Sequence, residues 1–89
     1  MDQNLSEISD KEIAKYQQYI GKIVKLLREE KDISQLQMAL SLGIKSVAFY
    51  SNCENSKNDK HFNMEHIYKI CKVLEMSLSD FFKNIEESL

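Results

Sequence analysis

The chain contains no proline, two glycines (Gly21 and Gly43), two cysteines and a single arginine, Arg28, in 89 residues. Without proline and with so little glycine, collagen-like and proline-rich disordered architectures are excluded. An all-β sandwich is argued against as well, because it needs many turns and few of the usual turn residues are present. No window holds the roughly 18 uninterrupted apolar residues of a membrane-spanning helix. The start of the chain, Met1-Asp2-Gln3-Asn4, is polar and acidic, unlike the basic and then apolar start of an export signal. Cys53 and Cys71 are too few for a disulfide framework. A reduced, cytoplasmic protein is expected.

What is present fits one small helical domain. The length suits a single unit, and 43% apolar with 29% charged residues is ordinary for a globular chain. The net charge of −2 does not announce a nucleic-acid partner. Its distribution says more: residues 1–20 carry −2, residues 21–60 carry +2 and residues 61–89 carry −2. A mildly basic middle lies between acidic ends.

Helical periodicity runs through the chain. Ser9-Asp10-Lys11-Glu12 has the pattern of a capping box and predicts a helix start near Asp10. Ile13, Tyr16, Ile20, Ile23, Val24 and Leu27 then keep one face apolar until Lys31-Asp32. Gly21 lies inside this run, where the helix can kink or break. Ser34 is the next cap, for a short helix that Gly43 ends, because glycine enters the left-handed conformation without steric cost. Ser46 caps a third helix, running to about Asn52-Glu54, and Asn55 to Lys60 form a polar loop. Asn63 caps a fourth helix, with Ile67, Ile70, Cys71 and Leu74 on one face, and Ser79 a fifth, with Leu78, Phe81, Phe82 and Ile85 in register. The expected fold is all-α, with five helices and an extended N-terminal one.

The informative stretch is Ile33 to Ile44. Ala39 is small where the next helix crosses closely, Gly43 makes the turn, and Met38, Leu42 and Ile44 point inward. This is the local chemistry of a helix-turn-helix over about residues 34–54, whose second helix can enter the major groove. Leu27-Arg28, Ile33-Ser34-Gln35, Ala39, Leu42-Gly43-Ile44 and Glu54-Asn55, followed by Ile67, Ile70, Leu74 and Met76, resemble the Cro and phage-repressor (XRE-type) family of helix-turn-helix regulators. The resemblance covers about residues 20–82 and implies a five-helix, phage-repressor-like DNA-binding domain. Family members usually have a glutamate ten residues after the turn glycine, whereas Glu54 is eleven after Gly43. The extra residue is expected in the turn, around Lys45, because Tyr50 and Cys53 then fall on buried positions. The loop Glu54-Asn55-Ser56-Lys57 lacks the glycine of many members and is similar to loops of restriction–modification controllers.

The groove-facing residues expected on the third helix are Ser46, Val47, Ala48, Ser51 and Asn52. Asparagine can pair bidentately with adenine, and small apolar groups can touch the thymine methyl. Lys45 stands at the helix entrance, within reach of phosphate or guanine. The resemblance implies that Gln35 touches the DNA backbone and braces the recognition helix. Lys57, Asn58, Lys60 and His61 can hold phosphates. The competing reading of all these is a solvated surface. The resemblance also places Arg28 opposite Glu54 in a structural salt bridge, which takes the one arginine away from base reading.

Cys53, Cys71, His61 and His66 do not match zinc spacings, and no cofactor is expected. No nucleophile, acid and base cluster or phosphate-cradling glycine loop is present, so an enzyme is not expected. The expected function is sequence-specific binding of double-stranded DNA as a transcriptional regulator, a repressor or controller acting as a homodimer. Its alternative is a helical protein-interaction module, antitoxin-like or a regulatory subunit, that has lost DNA. No membrane partner is expected, and the sequence names no effector. The expected dimer surface is the last helix, through Leu78, Phe81, Ile85 and Leu89, with Phe82 buried. The N-terminal helix, through Tyr16 and Tyr19, is the alternative.

Overall fold

The computed structural model describes residues 7–89, and the polar start at residues 1–4 lies outside them. The described residues form α1 (Asp10–Glu30), α2 (Gln35–Leu42), α3 (Val47–Asn55), α4 (Met64–Leu74) and α5 (Leu78–Ser88), with no strand among them. The shared core is built from Val24 of α1, Met38 and Leu42 of α2, Tyr50 and Cys53 of α3, Ile67, Ile70 and Leu74 of α4, and Phe81 and Ile85 of α5. Each helix opens on a side-chain cap that satisfies a backbone N–H left free by the helix geometry. Ser9, Ser34, Ser46, Asn63 and Ser77 fill these positions.

Gly21 neither kinks nor divides α1. The helix runs unbroken through it, and Gly21 is buried. A Cβ there would meet the carbonyl oxygen of Glu54 and sit 2.9 Å from that of Cys53. The missing side chain is what lets α1 cross the end of α3 at backbone contact. At 1.5 Å per residue α1 is roughly 31 Å long, against short axes of 27 and 19 Å for the whole molecule. Ile13 and Tyr16 on its N-terminal turns remain exposed, at 47% and 36%.

Gly43 takes the left-handed conformation at the end of α2, φ 77°, and its N–H and that of Ile44 close the helix on Leu40 and Ala39. Ala39 is buried where α2 meets its neighbours, beside Met38 and Leu42, and Ile44 is half-buried. Gly43, Ile44 and Lys45 make the turn. Ser46 then caps α3, its hydroxyl accepting from the Phe49 N–H at 3.1 Å. Tyr50 and Cys53 both face the core.

After the third helix, Ser56 stands in the left-handed region at φ 53°. An L-residue pays about 1–2 kcal/mol for that conformation. The Ser56 hydroxyl oxygen is also buried without a hydrogen-bond partner. Ser56→Gly is therefore expected to stabilise the fold by about 1 kcal/mol, offset in part by the greater freedom of glycine in the unfolded chain. A lowered melting temperature for this variant would contradict that reading.

Two expectations at the C-terminus are corrected. Ser77, not Ser79, caps α5, accepting from the Asp80 N–H at 3.0 Å. Phe81 and Ile85 are fully buried, so neither is available to a partner, while Phe82 is the half-buried ring. The two phenylalanine rings meet edge to face, centroids 5.4 Å apart. Adjacent residues on a helix point about 100° apart, and the core lies on the row Phe81–Ile85. Leu78 and Leu89 remain exposed.

Candidate nucleic-acid interface

A buried polar knot fixes the angle of α3 on the rest of the fold. Glu54, with no side-chain exposure, accepts from Arg28 Nε at 2.7 Å on Oε2 and from Arg28 Nη2 at 3.2 Å on Oε1. Gln35 Nε2 donates to Oε1 at 3.0 Å, and the Tyr50 hydroxyl donates to Oε2 at 2.6 Å. Arg28 Nη1 donates to the Ile33 carbonyl at 2.7 Å. One carboxylate thus joins α1, the start of α2 and both ends of a turn of α3. The hydrogen bond to Glu54 raises the Arg28 pKa above its ordinary value, against the opposing effect of burial. Burial, then the hydrogen bond to Glu54, holds the Tyr50 hydroxyl protonated far above its usual range.

The structure brings Arg28 and Glu54 together and adds two partners that sequence reading missed, Tyr50 and the Ile33 carbonyl. Tyr50 was legible as a core residue, but nothing local to it signals the hydroxyl contact. Only its i, i+4 spacing to Glu54 could have done so. Gln35 is half-buried, and its amide braces Glu54.

With Tyr50, Cys53 and Glu54 turned inward, the opposite side of α3 faces solvent. Ser46, Val47 and Ala48 are exposed, and Ser51 and Asn52 are half-buried. Asn55 is exposed on this same side and was missed as a candidate. Its Nδ2 donates to the Ser51 carbonyl at 2.9 Å. Lys45 is exposed in the turn just before α3. After α3, Lys57, Asn58, Lys60 and His61 are exposed on a loop in which Asn58 and Asp59 both take positive φ. The Lys60 ammonium lies 6.0 Å from the Phe49 ring centroid. The cationic side chains therefore stand at both ends of α3, and small neutral ones lie between them.

Among the described residues no cluster of His, Cys, Asp and Glu could hold a metal ion. Burial pushes the Cys53 and Cys71 thiols above their ordinary pKa, as for inert core residues rather than nucleophiles. No helix among the described residues is long and apolar enough to cross a membrane.

Residues 24–81, from the core half of α1 into α5, match the family model described as helix-turn-helix. The chain belongs to the Cro/repressor-type (XRE) helix-turn-helix family. No curated protein and no solved structure matches it. The matched residues include α2 and α3 and the tight turn that joins them. The family is one of DNA-binding transcription regulators.

Proposed function

We propose that the protein binds duplex DNA sequence-specifically as a homodimer and regulates transcription in the cytoplasm, as a repressor or controller protein, by occluding or recruiting at a promoter. The chain acts as one DNA-binding domain, without catalysis or a cofactor. The observation that carries this reading is the outward face of α3. It is pinned by the buried Arg28–Glu54–Gln35 knot, offers small groups able to enter a groove, and is flanked by lysines at both ends. Ser46, Val47, Ala48, Ser51 and Asn52 meet base edges. Lys45, Lys57, Asn58 and Lys60 meet phosphates, which set register without reading sequence. The free side of the Gln35 amide group reaches the DNA backbone at the start of α2.

One helix-turn-helix reads too few base pairs to discriminate against a genome. Two-fold pairing places two recognition helices about 34 Å apart on one face of the duplex. Since Phe81 and Ile85 are in the core, the pairing surface is assigned instead to α1, whose apolar stripe continues past the globule through Ile13 and Tyr16. A second copy of this chain is the occupant that gives a two-fold reader.

About four phosphate contacts per chain imply a log–log salt slope near −4 per chain, at about 0.9 per contact. Retardation of genomic fragments that weakens with salt at this slope, with two chains per site, is the expected result. No retardation of any fragment at low salt would overturn the reading and leave the protein-interaction module.

A further inference from the structure

We infer that the base pairs under α3 are A·T pairs, read as adenine edges and thymine methyl groups. This rests on the reading of α3 as the recognition helix. α3 has the sequence VAFYSNCEN. Its single charged residue is Glu54, whose side chain is fully buried, and it contains no arginine, lysine, glutamine or histidine. The commonest reader of guanine is arginine or lysine donating to O6 and N7. The chain's one arginine is Arg28, with 8% side-chain exposure and its guanidinium committed to Glu54 and the Ile33 carbonyl. Lys45 precedes α3 and Lys57 follows it, so guanine contacts are confined to the edges of the half-site.

What α3 does present is specific to the other pair. The outward side chains are Val47, Ala48, Ser51, Asn52 and Asn55. An asparagine amide matches adenine, donating to N7 and accepting from N6. Asn55 uses one N–H on the Ser51 carbonyl at 2.9 Å. The same Nδ2 also lies 3.4 Å from the Ser51 hydroxyl oxygen, so the plane of the amide is fixed and its carbonyl oxygen is the group turned to accept from adenine N6. Val47, 38% exposed at the first turn, and Ala48 are methyl surfaces of the size that packs on the thymine C5-methyl. Ser51 suits either base and discriminates little.

The test is selection of bound duplexes from a random pool by the full chain, followed by base-analogue substitution in the selected site. The expected half-site has A·T pairs at its centre, with any G·C preference at its edges. Replacing its central thymines by deoxyuracil, which removes only the methyl group, should weaken wild-type binding several-fold, and Val47→Ala should shrink that penalty. Asn52→Ala and Asn55→Ala should each relax an adenine preference by about 5-fold to 150-fold. A selected site centred on G·C pairs, or full affinity for the deoxyuracil duplex, would overturn the inference while leaving DNA binding intact. Recovery of no duplex at all would instead overturn the DNA-binding reading on which it rests.

Discussion

Glu54→Ala is expected to destabilise the protein by about 3–5 kcal/mol, the range for breaking a buried ion pair on one side. The loss leaves the Arg28 guanidinium buried without its counter-charge, and deprives Gln35 and the Tyr50 hydroxyl of their acceptor. Arg28→Ala should do similar damage, because it strands the Glu54 carboxylate. The double substitution should lose clearly less than the sum, since the second change removes a charge that the first has already stranded. Lys22→Ala and Lys25→Ala, on the exposed side of the same helix, should stay within about 0.5 kcal/mol. Urea denaturation of the four variants and the double variant measures all of this. Simple additivity of the Arg28 and Glu54 losses would show that the two are not coupled.

Gly21→Ala sets two effects of opposite sign against each other. Helix propensity alone would favour alanine by about 1 kcal/mol. The added methyl, however, would press on the backbone carbonyls of Glu54 and Cys53, which cannot rotate away as a flexible side chain could. Overpacking of this kind costs about 1–3 kcal/mol and sometimes more. The clash should win, with a net loss of stability and, through displacement of α3, weaker DNA binding. A raised melting temperature for Gly21→Ala would mean that α1 and α3 do not cross at backbone contact.

Several features were legible because their signals are local. Ser9, Ser34, Ser46 and Asn63 act within three residues of themselves, and Gly43 marks the turn by a conformation that other residues avoid. Tyr50 and Cys53 stand three residues apart, a spacing that puts both on one face of a helix, and both face inward. The Arg28–Glu54 pair joins residues far apart in sequence. It came from the family resemblance, because nothing in the spacing of either residue announces it.

Which face of α5 meets the core is not a local matter. Phe81 and Phe82 belong to one broad apolar stripe, and the stripe does not say which of its rows meets the core. That depends on how α5 lies on α1 and α4, a tertiary matter. Ser77 and Ser79 are both chemically able caps. The discriminating signal was Asp80 three residues after Ser77, a pattern overlooked beside the nearer Ser79. Gly21 suggests backbone freedom in sequence, whereas its role is the absence of a Cβ at a crossing visible only in three dimensions. Asn55 is the last residue of α3, at a helix end that sequence places only loosely.

In the proposed function the outward face of α3 reads DNA sequence while the lysines around it hold the backbone. Asn52→Ala and Lys57→Ala, titrated on a selected site and on unrelated duplex at the same salt, test it most directly. Asn52→Ala should lose about 1–3 kcal/mol on the selected site alone, with helicity unchanged. Lys57→Ala should weaken both duplexes about equally and reduce the salt slope by about one. An Asn52→Ala protein with unaltered affinity and unaltered sequence preference would contradict the assignment of α3 as the reader.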